Sequence, residues 1–255
     1  MAIIAIINQK GGTGKTTTAI NLGSALSSLG KKILLIDLDP QANLTYAFGI
    51  SALNGSIVEV LQGKKTLQAI LVKREGLFIA PASISLADIE VSLVNKIGRE
   101  RVLKDHLKEI RDYDYVFIDS PPSLSVLTIN ALNAAQEVLI PLEMEILSLQ
   151  GLAQLLDTIN EVQQVLNKGL KVKGIIPSMY DARRRLSNEV LKETEKKFKE
   201  KIFKTVIREN VKIAEAPSFA KSVLAYAPSS HGAEDYRALA KEFIKEETPR
   251  YANRR

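Results

Sequence analysis

The sequence predicts an α/β protein, a three-layer α/β/α sandwich around a mostly parallel, twisted central sheet. Three observations carry this. Short runs that are apolar at almost every position recur along the chain, as strands covered on both faces require. They alternate with longer stretches of helical apolar spacing. Several runs end on an acid or a glycine-rich turn, the end at which open parallel sheets place their ligands.

The first run, Ala2 to Ile7, is apolar throughout and β-branched at four positions, and reads as a buried strand. It leads into Gln9-Lys10-Gly11-Gly12-Thr13-Gly14-Lys15-Thr16-Thr17, and then into the amphipathic stretch Thr17 to Leu26. Strand, glycine-rich turn and helix together form a phosphate-binding context. The three glycines let successive N–H groups converge on phosphate oxygens. The helix N-terminus adds a partial positive charge. Lys15 can reach the β- and γ-phosphates of a nucleoside triphosphate, and the Thr16 hydroxyl can ligate Mg²⁺. A nucleoside triphosphate and Mg²⁺ are the expected ligands.

Ile33 to Asp37 reads as a second strand, delivering Leu38-Asp39-Pro40-Gln41 to the ligand end of the sheet. A carboxylate there, Asp39, can orient an attacking water or hold Mg²⁺ through water. Residues 51–111 give short amphipathic helices near 57–61, 86–94 and 101–110 around a strand at Leu77–Pro81. Tyr113 to Pro122 follows, with Val116 to Ile118 buried and Asp119 at the strand end, the Walker B form that faces the Mg²⁺ shell. Prolines 121 and 122 then stop the ladder.

Glu137–Pro141 makes another strand and Leu147 to Leu166 a long helix with a core-facing stripe. Lys171–Pro177 is the sixth parallel strand, with Met179 and Tyr180 at its end, placed to flank a purine. Ala182-Arg183-Arg184-Arg185-Leu186-Ser187 opens a helix, and three arginines there oppose the helix dipole. A phosphate-binding surface accounts for them, since arginine forks suit phosphate. Lys201 to Ile207 predicts a last strand, and Ala233 to Glu247 a closing helix. The chain is expected to be a single ATPase domain over residues 1–247, followed by a basic tail at 248–255.

Composition narrows the partners. The 255 residues are 45% hydrophobic and 25% charged, as in ordinary globular proteins. No uninterrupted apolar stretch reaches membrane-spanning length, so no membrane partner and a cytoplasmic location are expected. There is no cysteine, which excludes disulfides and thiolate-held clusters. The net charge of +6 is unevenly spread: residues 1–170 carry 15 Lys+Arg against 17 Asp+Glu, and residues 171–255 carry 20 against 12. A basic last third on a nucleotide-binding protein points to nucleic acid or anionic lipid.

The loop departs from the general phosphate-loop pattern: Gln9 stands where the first glycine is usual, and a second lysine, Lys10, precedes the glycine pair. This is the deviant Walker A form, and the run resembles the ParA/MinD group of P-loop ATPases. The resemblance extends over residues 1 to about 246 through five ordered motifs, and points to the short ParA/Soj-like partition ATPases. It implies that Lys10, Gly11, Gly12, Thr13, Gly14, Lys15, Thr16 and Thr17 hold ATP, with Lys10 as the signature lysine that crosses a dimer interface. It implies that Asp39 belongs to switch I and is tied to hydrolysis, and that Asp119-Ser120-Pro121-Pro122 with Leu127 to Leu132 is switch II. The catalytic set is then Lys10, Lys15 and Asp39, and the metal set Thr16, Asp39 and Asp119.

The family pattern D-x-R-T-x-L carries a DNA-binding arginine that maps to Arg183, with Arg184 replacing threonine and Arg185 added. Residues 207–221 resemble the family's I-P-R-N-V-R-L-x-E-A-P-S-x-G-K, retaining Asn210 at the nucleotide and basic groups at Lys212 and Lys221. Here Arg208-Glu209 replaces its proline-arginine pair, and Glu143 stands where glutamine is common. The implied cycle is an ATP-closed homodimer that holds double-stranded DNA non-specifically through Arg183, Arg184, Arg185, Lys212 and Lys221, associates with the nucleoid, and is released by slow hydrolysis stimulated by a ParB-type partner. The alternatives are a MinD-like membrane-associated ATPase anchored by a C-terminal helix, a cluster-carrying ATPase, which lacks its cysteines here, and a small-molecule ligase or kinase of related fold.

Overall fold

The computed structural model describes residues 1–51, 55–198 and 201–245. Seven strands form one sheet: β1 (Ala2–Ile6), β2 (Ile33–Asp37), β3 (Val72–Arg74), β4 (Leu77–Ala80), β5 (Tyr115–Asp119), β6 (Glu137–Glu143) and β7 (Lys171–Ser178). Their order is β3-β4-β2-β5-β1-β6-β7. All neighbours are parallel except β3, which pairs antiparallel with β4.

The helices are α1 (Lys15–Ser28), α2 (Asn43–Ala47), α3 (Ile57–Leu61), α4 (Leu86–Leu93), α5 (Val102–Leu107), α6 (Val126–Ala134), α7 (Ile146–Val165), α8 (Arg185–Lys197), α9 (Val211–Glu215), α10 (Val223–Tyr226) and α11 (His231–Lys245). Strand alternation divides the core in two. Ile4 and Ile6 of β1 join Leu22 and Leu26 of α1 and Leu239 and Phe243 of α11 on one face. Ile3 and Ala5 face the other way, with Leu103 of α5, Leu132 of α6 and Leu155 of α7. This is the three-layer α/β/α arrangement. The inner strands are apolar at successive positions because both faces are covered.

The edge strand β3 was not expected. It has only three residues, Val-Lys-Arg, and joins β4 through Glu75 and Gly76, both at positive φ (47° and 78°). Two left-handed residues in succession are the geometry of a type I′ hairpin turn. The sequence offered no apolar alternation there, so the turn alone carries the hairpin.

The segment 201–207 was expected to be a strand and is not one. Its ends run parallel to β7, with the Ile175 amide donating to the Lys201 carbonyl and the Ile207 amide donating to the Pro177 carbonyl. Between them the amides of Lys204 and Thr205 turn away and donate to the Glu242 carboxylate on α11. Phe203 instead fills the space over Gly174, where an added Cβ would lie 2.7 Å from its ring. The helix expected at 101–110 is also shorter: a 3-10 turn at Arg99–Arg101 precedes α5, which ends at Leu107. The expected C-terminal tail, and the end of the closing helix at 246–247, lie outside the described residues. Among the described residues no helix is long and apolar enough to cross a membrane.

Candidate nucleotide site

Strand register builds the site. Asp37 of β2 and Ile6 of β1 both pair with Asp119 of β5, so three strands end at one level and deliver two acids and the glycine turn to the same edge. Gly12 and Gly14 have φ of 78° and 90°, left-handed values that a side chain would strain, and Gly14 caps α1. The turn they make lines a cavity of about 570 Å³ with Lys15, Thr16, Thr17, Asp39, Met179 and Lys221.

Lys15 is buried, and its Nζ donates to the Lys10 carbonyl at 3.3 Å. Burial pulls its pKa below the usual lysine value, while the charges of Asp119 and Asp39 oppose the shift. Thr16 Oγ1 donates to Asp119 Oδ2 at 2.7 Å. Asp119 is fully buried, and its Oδ1 has no hydrogen-bond partner. Burial first, and then the neighbouring Asp37 charge, holds its carboxyl well above the carboxylate range. A cation would remove both penalties. Among the described residues no three acidic or imidazole groups converge as a metal cage. Thr16 Oγ1 and the unpaired Asp119 oxygen suit Mg²⁺, which takes one or two protein oxygens and completes its shell with phosphate and water.

Asp39 is buried at the cavity wall and accepts from the Gln41 amide at 2.9 Å. It sits above Asp37, a residue the sequence reading left without a role. Asp37 Oδ2 accepts from the Thr45 amide (2.9 Å) and hydroxyl (2.6 Å), and its Oδ1 accepts from the Asp39 amide (3.3 Å). Burial pushes Asp37 up to about 6. It clamps α2 to the sheet and so fixes the segment bearing Asp39. The signal was an acid ending an apolar run with a threonine eight residues on.

Lys10 is folded back on its own subunit. Its Nζ lies 2.7 Å from both Glu143 Oε2 and Glu145 Oε2 at the end of β6, and these two bonds raise its pKa. Asn8, also unassigned from sequence, holds the turn in place. Its Oδ1 accepts from the Lys10 amide, and its Nδ2 donates to the Pro141 carbonyl.

A second cavity, of about 580 Å³, adjoins the first and shares Gly14, Thr17 and Met179 with it. Asn210 lines it, whereas Tyr180 lines neither cavity. The Tyr180 hydroxyl donates to Asn188 Oδ1 at 2.6 Å, and its ring packs on the opposite core. Met179, just past the end of β7, has a left-handed φ of 51°, and the Tyr180 side chain is committed to Asn188, so of the two only Met179 lines the cavities.

The five basic residues expected at DNA do not form one class. Arg183 and Arg184 precede α8, and only Arg185 is helical. The expected conflict with the helix dipole is thus reduced. Arg183 chelates Asp181 at 3.0 Å and draws that carboxyl down to about 2. Arg184 pairs with Asp181 and Glu209, Arg185 with Glu189, and Lys212 with Glu215. Lys221 has no ion-pair partner among the described residues and lines the phosphate-loop cavity, as Arg184 lines the second.

Known proteins share the sequence and fold of this chain. Residues 1–172 match the family model described as an AAA domain. The chain is 46% identical over 245 residues to the sporulation initiation inhibitor protein Soj of Bacillus subtilis, covering 94% of this chain and 97% of that one. It is 45% identical over 258 residues to the chromosome partitioning protein ParA of Myxococcus xanthus, covering 99% and 91%. A crystal structure of cobyrinic acid a,c-diamide synthase from Mycobacterium smegmatis with bound ADP and magnesium superposes with a TM-score of 0.86 at 38% identity, covering 97% and 96%. A phosphate-loop site on a parallel sheet, with this identity along nearly the whole chain, places the protein in the Soj/ParA family of chromosome-partitioning ATPases.

Proposed function

We propose that this chain binds Mg²⁺-ATP on the turn Lys10–Thr17, pairs with a second copy while the triphosphate is present, and in that state grips double-stranded DNA without reading its sequence. The observation that supports it most is the convergence of Lys15, Thr16 and Asp39 on one cavity, with the half-satisfied Asp119 bonded to Thr16 behind its wall. Lys15 and the glycine-turn amides hold phosphate. Thr16 and Asp119 hold Mg²⁺, which when bound neutralises charge on the phosphates. Asp39 orients the attacking water.

Lys10 leaves Glu143 and Glu145 for the partner's phosphates, since a triphosphate offers more negative charge than two carboxylates. Arg183, Arg184, Arg185 and Lys212 exchange their carboxylates for DNA phosphates, and Lys221, at the cavity mouth, links the two sites. Slow hydrolysis, stimulated by a ParB-type partner, ends the grip, and the ATP form resides on the nucleoid.

The test is light scattering with and without ATP and duplex DNA. The expected result is doubling of mass with ATP, DNA binding only by the doubled species, and neither in Lys15→Ala. Loss of one charged phosphate contact lowers nucleotide affinity by about tenfold to a hundredfold. A mass unchanged by saturating ATP would reject the pairing.

A further inference from the structure

The second cavity adjoins the glycine turn, sharing Gly14, Thr17, Met179, Ile213, Ala214 and Pro217 with the first, and so has room for the base of a nucleotide whose phosphates lie on that turn. Its walls combine apolar side chains that a ring can stack on, Met179, Ile207, Ile213 and Pro217, with polar and charged ones that can meet its edge. What reads the edge of the ring is settled by which polar groups are still uncommitted.

Arg208 is committed: its amide and its guanidinium all donate to Asp235, at 2.6 to 3.1 Å. Half of Asn210 is committed, since its Oδ1 caps α9 by accepting from the Lys212 amide at 2.9 Å. Its Nδ2 has no partner among the described residues. Glu209 is held by its backbone, the amide donating to the Tyr180 carbonyl at 3.2 Å. Its carboxylate has only Arg184, 3.6 Å away, and 63% of the side chain is exposed. Of the carboxylates that line this cavity, Glu143 and Glu145 share Lys10 between them, and Glu209 holds only its one long, exposed contact with Arg184; with Asn210 Nδ2 it puts an acceptor pair and an amide donor on adjacent residues.

We propose that Glu209 reads the purine edge and admits guanosine triphosphate alongside ATP. Guanine presents two donors side by side, N1–H and the 2-amino group, which match the two oxygens of a carboxylate. Its O6 then accepts from an amide donor such as Asn210 Nδ2. Adenine offers a carboxylate only its 6-amino group. The arginine that the family pattern puts at this position would repel the guanine donors, and here that charge is reversed. The proposal rests on the nucleotide reading of the glycine turn.

The experiment is displacement of a fluorescent ATP analogue, with Mg²⁺, by ATP, GTP and UTP from wild type, Glu209→Gln and Glu209→Arg. In wild type GTP competes within about tenfold of ATP and UTP does not. In Glu209→Arg the ratio of GTP to ATP dissociation constants rises by about tenfold or more, with Glu209→Gln between. Unaltered thermal midpoints confirm that both variants are folded. GTP weaker than ATP by more than tenfold in wild type, or a ratio equal in all three proteins, overturns the proposal. Absence of ATP binding in wild type overturns the phosphate-loop reading itself, and the assignment of Glu209 with it.

Discussion

At the scale of single residues, the clearest consequence of the structure concerns Asp181. The Arg183 guanidinium and amide both donate to it, with Arg184 alongside, and its carboxyl is drawn down to about 2. A depressed carboxyl stabilises the folded state above its unfolded value, near 4. That contribution is lost as pH falls through the folded value. A carboxyl-detected NMR titration should find the Asp181 midpoint near 2 in wild type and closer to the ordinary range in Arg183→Ala. An unchanged midpoint would dismiss the chelate. Lys15, Thr16, Asp39 and Asp119 could be read from sequence because each had a type, a spacing and a place on a predicted element. Asn8 could not: its work is with Pro141, and no local pattern announces a partner across the sheet. Asp37 had a local signal in Thr45, eight residues on, but an acid at a strand end beside Asp39 does not by itself say which of the two clamps the helix. Tyr180 shows the converse, a suitable residue type drawn away by Asn188 and by packing on the opposite core.

Among elements, the segment 201–207 shows most clearly what periodicity leaves out. Ile202, Phe203, Val206 and Ile207 have the apolar density of a strand, yet Glu242 of α11 takes two of the amides a ladder would need. A carboxylate nearly forty residues away thus decides the local structure. The segment is held instead by Phe203, which is 1% exposed and seated on Gly174. Phe203→Ala should cost about 3–5 kcal/mol in urea denaturation, because the cavity it leaves is bounded by sheet and helix. A loss under about 1 kcal/mol would show that the segment is held by its backbone bonds alone. The buried strands and the long helices were legible because both faces or one full stripe is apolar. The hairpin through Glu75 and Gly76 was not, since three residues give no period.

For the whole molecule, the charge imbalance of the last third becomes specific once carboxylates are assigned. Arg183 and Lys212 line neither cavity, and each is satisfied by an exchangeable acid. Neutralising roughly four DNA phosphates gives a slope of about −3.6 for log K against log salt. Arg183→Glu with Lys212→Glu should reduce it to about −1.8, while the ATP-dependent increase in mass persists. Filter binding at two or more salt concentrations decides this. An unaltered slope would move the DNA surface elsewhere.

The clasp on Lys10 has its own bearing on how copies meet. Two acids hold that one base, so an empty subunit keeps Lys10 to itself. Whatever a second copy brings near must outcompete both carboxylates before this lysine can reach outward.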